Sequence, residues 1–352
     1  MYAVHLQLPV FESLRIDSVW QVRHSALFAL PAILSRLTPH QRRSLAIDTV
    51  VPLSVDESAS VRLGVLEALG EIIHTFHEDT HGPPDEILRL FLGRAEDRRV
   101  RDERQSSPPS ISDQFAKQQV WGTPKSPFTS QIQDLDTLGS PMEAESPLES
   151  FYKDPGRPLI CAFNYPAVAL TLGRARWDEL RELYLALSQD PALKVRRTLA
   201  ASLGELAKII GPDNAQQDLL PVWWDDIKCE EDGEVRLKAI ECVGTFVGAL
   251  GERKVEVAEG LLSVWKAGTL KGWREKQVAV GALVGFIGSI GELKPSVIKG
   301  LLKVALEDGA VGVREAAISI VSANICLRAS SILSWSHRSR KFGMGLVTGG
   351  TF

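Results

Sequence analysis

Asp190–Ile210 reads DPALKVRRTLAASLGELAKII, and its spacing decides the fold. Apolar residues fall at Val195, Leu199, Leu203, Leu206 and Ile209 or Ile210, in steps of three and four that line one stripe of a helix. Such a stripe is stable only against a neighbour. Asp190 and Pro191 suit the start: a carboxylate accepts from the free amides of a first turn, and proline needs no donor there. Gly211-Pro212 suits the end.

Working outward, the Val-Arg pair of this stretch recurs with an acidic residue ahead and an apolar helix behind. Arg23 in DSVWQVR, Arg62 in DESASVR, Arg101 in EDRRVR, Arg196 in DPALKVR, Arg236 in DGEVR, Arg274 in GWR and Arg314 in DGAVGVR form one series. Successive members lie 38 to 40 residues apart, except Arg101 and Arg196. Two amphipathic helices per unit of about 40 residues predict an all-α solenoid of the HEAT or armadillo kind, whose units bury their apolar faces only by stacking. Asp17, Asp56, Asp190 and Asp308 fall at the inter-helix turns, where each is expected to cap its own helix and to meet an arginine of an adjacent repeat.

Across the 352 residues, 44% are hydrophobic and the formal net charge is −4. That near balance argues against a surface built for nucleic acid. Cys161, Cys229, Cys242 and Cys326 are far apart with no CxxC pair, so neither a disulfide framework nor a zinc knuckle is expected. The N-terminal MYAVHLQLPVFESLRID lacks a basic start and an unbroken apolar run, and Val278–Ile290 is too short to span a bilayer, so no membrane association is expected. A reducing, cytoplasmic and also nuclear location fits this composition.

Residues 1–101 are expected to form N-terminal repeats: two helical pairs and the opening of a third. Residues 102–158 are rich in Ser, Pro, Asp and Gln without sustained apolar period, which predicts a disordered insert. Its Ser/Thr-Pro pairs make Ser107, Thr123, Ser126, Ser140 and Ser146 candidate sites for proline-directed phosphorylation. Periodicity resumes at Leu159, where LICAFNYPAVALTLG supplies the second helix of the interrupted third pair, and residues 159–327 carry the C-terminal repeats. Residues 328–352 are basic and Gly/Ser-rich without a helical face, an irregular tail that is not expected to be native repeat sequence.

Motifs for chemistry are sparse. His77-Glu78-Asp79-Thr80-His81 matches H-E-x-x-H, which on a helix would set two imidazoles on one face for zinc. Here the helix is expected to end near Phe76, with Gly82-Pro83-Pro84 following, so a solvated helix end is the reading and no metal or cofactor is expected. The glycines of Gly281–Gly288 read as close helix packing rather than a phosphate loop. On the solenoid surface, Trp20, Arg197, Trp273 and Arg274 are the candidate protein-binding residues, because Trp and Arg dominate interface energetics. Of Trp223-Trp224, one is expected in the core and the other on display.

NYPAVALTLGRARWDELRELYLAL from Asn164, then KVRRTLAASLGELAKIIG, DLLPVWW and DGEVRLKAI, resemble the regulatory subunit 1 family of protein phosphatase 4, itself similar to the scaffold subunit of phosphatase 2A. The likeness is best over 159–250. It implies a non-catalytic protein that binds a Ser/Thr phosphatase catalytic subunit of the phosphatase 4 type and directs it to substrates. The rival in the binding class is a HEAT adaptor in nuclear transport or another assembly. The enzyme rival, a HEAT metalloenzyme resembling deoxyhypusine hydroxylase, requires recurring His-Glu pairs, and only His77-Glu78 is present.

Overall fold

The computed structural model describes residues 2–95, 146–229, 232–290 and 295–323, and among these every regular element is helical, with no strand. Helices pair in chain order: α1 (Tyr2–Arg15) with α2 (Trp20–Leu34), α3 (Pro39–Ser54) with α4 (Ala59–His74), and α5 (Asp85–Leu92), after which come the short α6 (Pro147–Tyr152) and α7 (Arg157–Leu172). Then follow α8 (Trp177–Ser188) with α9 (Leu193–Asn214), α10 (Leu220–Lys228) with α11 (Gly233–Glu241) and α12 (Val243–Ala249), α13 (Lys254–Lys266) with α14 (Trp273–Ile290), and α15 (Pro295–Leu306) with α16 (311–323). The second helices form one continuous layer: α2 packs on α4, α4 on α7, α7 on α9, α9 on α11 and α12, and these on α14. This is the stacked all-α solenoid that the 40-residue period predicts.

In the founding stretch, Val195, Leu199, Leu203, Leu206 and Ile210 are all buried. Gly211 breaks the helix with φ 82°, ψ 169°, a conformation available to glycine at little cost. The chain then turns helical again from Pro212, passing through a wide turn at Ala215–Leu219 into α10. Asp218 therefore lies within this wide turn, not in α10. It is buried, accepts from Trp177 Nε1 at 2.7 Å and pairs with Arg181 at 2.8 Å, tying α8 to the next repeat.

The turn acids follow the pattern in part: all four order their turns, but only Asp56 meets an arginine of an adjacent repeat, Asp308 meets Lys276, and Asp17 and Asp190 have no such ion pair among the described residues. Asp17, Asp56, Asp190 and Asp308 accept not from a helix amide but from the amide two residues on (Val19, Ser58, Ala192, Ala310) at 2.8–2.9 Å, closing Asx turns that launch the second helices. Across the turn, Arg23, Arg62, Arg196 and Arg314 each donate Nη1 to the carbonyls of the Asp and its successor. Arg23 reaches on to Asp56 of the next repeat through two bonds of 2.8 Å, Arg196 to Asp232, and Arg236 to Glu275 at 2.8 and 3.0 Å. The ladder is thus real, and largely shielded from water at Arg23, Asp56 and Arg236.

Two members of the series need correction. Arg274 is not a rung: it lies over the Trp273 ring at 5.4 Å, while Lys276 binds Asp308 at 2.8 Å, so position 276 carries the register. Arg62 finds Ser150 Oγ at 3.0 Å instead of a turn acid. Arg101 and the tail 328–352 lie outside the described residues.

The insert also ends earlier than residue 158. Ser146 Oγ accepts from the Glu149 amide to start α6, whose Phe151 is fully buried, and Asp154 closes the same Asx turn onto Gly156 at 2.7 Å. Arg157, at the head of α7, lies over Phe151 and Tyr152 and donates to the carbonyls of Leu90 and Phe91, closing the end of α5. The aromatic core beneath these contacts orders a segment whose composition alone reads as unstructured.

Candidate functional site

α7 carries apolar residues on both its inner and its outer face. Cys161, Ala162, Tyr165, Val168, Ala169 and Leu172 face the core, where Tyr165 donates to the Leu180 carbonyl at 2.5 Å amid Phe91, Trp177 and Tyr184. A second stripe, Leu159, Phe163 and Leu170, faces solvent, and Phe163 is 76% exposed. α7 is seated hard on α4: a Cβ at Gly70 would come within 2.6 Å of Asn164 Oδ1, so only glycine admits the contact at this spacing. Likewise Gly64 receives the His24 ring and Gly204 the backbone of Cys242.

Beside Phe163 the layer of second helices is grooved. One depression of about 480 Å³ is lined by Glu67, Leu159, Phe163, Lys194 and Arg197. A second, on the far side of Phe163, is lined by Arg197, Thr198, Ala201, Ser202 and Lys238. A third meets the first at Glu67 and runs to His24 and Trp20. Arg197 pairs with Glu234 and Lys238 with Glu241, all four at least partly exposed, whereas Lys194 and Glu67 have no ion-pair partner among the described residues.

Trp20 and Arg197 therefore lie on one track, Trp20 standing edge-on to His24 with ring centroids 6.3 Å apart. Trp273 (53% exposed) and Arg274 lie elsewhere, at the head of α14. Trp20 and Trp273 are nonetheless equivalent, each the first residue of its helix and three before the ladder cation. Leu193 and Val311 occupy the same register and are also exposed, so a row of apolar side chains marks the ridge of the turns. Sequence reasoning missed Leu193, Val311, Phe163, Lys194 and Lys238. Setting the register by Lys276 finds the ridge row; nothing in a helix apolar on both its faces singles out Phe163.

Of Trp223-Trp224, Trp223 is the core residue and Trp224 is half-buried rather than fully displayed. Trp223 is buried with Nε1 donating to Ala239 O at 2.9 Å, and Trp224 lies against Gly260 with Lys228 over its ring at 4.9 Å. The H-E-x-x-H string falls beyond α4 in turns: His77 stacks on His74 at 4.8 Å, and Asp79 receives Arg42 at 2.8 Å. Its residues thus serve the end of α4, whose Thr75 carbonyl Arg42 also binds at 2.7 Å. Of the candidate phosphorylation sites, Ser146 is exposed at the head of α6, and Ser107, Thr123, Ser126 and Ser140 lie outside the described residues. Among the described residues, no helix is long and apolar enough to cross a membrane, and no cluster of His, Cys, Asp or Glu is placed to hold a metal.

Comparison with known proteins falls on the part of the chain that carries this groove. Residues 161–262 match the family model of the protein phosphatase 4 regulatory subunit 1 middle domain. The resemblance read from NYPAVALTLGRARW is thereby shown. The human serine/threonine-protein phosphatase 4 regulatory subunit 1 is 43% identical over 90 residues, 26% of this chain and 9% of that protein. The mouse regulatory subunit 4 is 28% identical over 218 residues, 58% of this chain and 24% of its own length. The aligned stretches thus span a quarter or less of those relatives. Among solved structures, importin β superposes with a TM-score of 0.52 at 14% identity, covering 87% of this chain and 36% of that one, a likeness of fold alone.

Proposed function

We propose that this chain is a non-catalytic scaffold that binds a Ser/Thr phosphatase catalytic subunit of the phosphatase 4 type and directs it to substrates. The match of residues 161–262 to a phosphatase regulatory subunit carries the reading. Physical support comes from the ladder, which holds exposed Trp and Arg side chains on a preorganised frame and so lowers the ordering cost of docking. The ridge row, with Trp20, Trp273 and Arg274, and the neighbouring Arg197 present that surface. A cytoplasmic and nuclear location goes with this role, as does phosphorylation of the Ser/Pro-rich insert. The importin likeness, at 14% identity, lends the transport-adaptor reading nothing beyond the fold.

Mass spectrometry of proteins co-purifying with the tagged full chain tests the reading. The phosphatase catalytic subunit is expected in the wild-type sample and depleted with Arg197→Glu plus Trp273→Ala. Transport factors recovered without phosphatase would refute the scaffold role, and undiminished phosphatase recovery with both substitutions would remove those residues from the interface.

A further inference from the structure

We propose that Ser150 is a phosphorylation site whose phosphate fills the acceptor position left without an anion beside Arg62. Elsewhere along the stack the acceptor of the rung is a carboxylate: Asp56 for Arg23, Asp232 for Arg196, Glu275 for Arg236 and Asp308 for Lys276. Arg62 holds its own turn as the others do, through the carbonyls of Asp56 and Glu57. Its Nη2, however, donates to Ser150 Oγ at 3.0 Å, and it has no ion pair among the described residues. A hydroxyl thus stands where the other rungs place a charge. A phosphoserine there brings up to about two negative charges and three acceptor oxygens to a guanidinium already oriented by two carbonyls. The preceding Glu149, which would repel the phosphate, is already matched by Arg94 at 2.6 Å and Lys153 at 3.0 Å. Ser150 is half-buried, but α6 has only six residues, with Ser146, Pro147 and Leu148 exposed. So short a helix opens at little cost, and the open form offers a kinase an extended chain. Phe151 follows Ser150, so the site is not proline-directed and is separate from Ser146. In the transfer, Ser150 Oγ bonds to the terminal phosphorus of a nucleoside triphosphate and the bond from that phosphorus to its bridging oxygen breaks. The nucleoside diphosphate leaves with the electron pair, and the kinase's base takes the hydroxyl proton. The product pins α6, and with it the chain leaving the Ser/Pro-rich insert, to the first turn of α4.

Two measurements on the full chain test this. Peptide mapping of the chain, isolated with phosphatase inhibitors from cells that express it, should find phosphate on Ser150; its absence there would overturn the site. With phosphoserine installed at position 150 by an expanded genetic code, the amides of α6 should exchange with deuterium at least about tenfold more slowly than in the unmodified chain. Arg62→Gln should abolish that gain, and Arg62→Lys, which keeps the charge but not the fork, should retain part of it. Arg62→Gln also loses the two carbonyl contacts, so each variant is compared with its own unphosphorylated form, and circular dichroism verifies the fold. Should Arg62→Gln not fold, a smaller gain with lysine than with arginine supports the rung and an equal gain refutes it. No slowing of exchange with phosphoserine, or a slowing indifferent to Arg62→Gln, would overturn the inference. None of these outcomes depends on the scaffold role.

Discussion

Replacing Arg236 by Met should split the solenoid at one joint rather than weaken it throughout. The guanidinium is 4% exposed and the Glu275 side chain 9%; Arg236 also donates to the Cys229 carbonyl. Its loss leaves Glu275 with the Gly272 amide at 3.2 Å, a long bond for a buried carboxylate. Breaking a buried ion pair from one side costs about 3–5 kcal/mol. Converting both residues, Arg236→Met with Glu275→Met, removes the stranded charge and should cost only about 1–2 kcal/mol, mostly the unpaired carbonyl of Cys229. The double-mutant cycle therefore predicts a coupling of at least about 2 kcal/mol. Each repeat contacts only its neighbours, so the damage should stay local. Hydrogen exchange in sub-denaturing urea should show α13–α15 losing protection while α2–α7 keep theirs. A single-variant cost under about 1 kcal/mol, or an even loss of protection from end to end, would refute the ladder as the joint between repeats.

Other joints give further expectations. Asp226 is pushed up to about 7 by burial and by the neighbouring Asp225, against the pull of Arg196, with Asp232, Tyr184 and Cys242 also facing it. Its folded value lies above the ordinary 3.8, so its contribution is intact below that pH and is lost as pH rises towards 7. Asp226→Asn should accordingly raise stability at pH 8 by about 1–3 kcal/mol and flatten the decline between pH 4 and 7, as urea midpoints across that range would show. Gly260→Ala would bring a Cβ within 1.6 Å of the Trp224 ring; a loss of about 1–3 kcal/mol is expected in thermal melts, and a neutral outcome would deny the close approach. Treating the full chain with a proline-directed kinase should phosphorylate Ser146 and the sites at 107, 123, 126 and 140 on peptide mapping; no modification at any of them would end the proposal of regulation through the insert.

Repetition made most of the architecture legible. A series of seven cations, 38 to 40 residues apart except across the insert, survives single substitutions, so even the misplacement of one rung at Arg274 instead of Lys276 left the repeat count unharmed. What composition concealed lay at the insert: Asp154 launches α7 like its counterparts, but the flanking Ser/Pro-rich sequence hid it, because burial of Phe151 depends on contacts distant in sequence. The site was harder to read. Trp20, Arg197 and Trp273 stand out by residue type, and all three are partly or largely exposed. Phe163 does not stand out, since spacing separates inward from outward positions only when the outward ones are polar. Its neighbours Lys194 and Lys238 join it through packing between repeats, which no single helix encodes.

The most direct measurement is a titration of the purified full chain with the purified phosphatase 4 catalytic subunit, followed by isothermal calorimetry. Saturable binding is predicted, weakened by Trp273→Ala and Arg197→Glu. An absence of binding heat up to high micromolar concentration, with both proteins folded, would contradict the scaffold role.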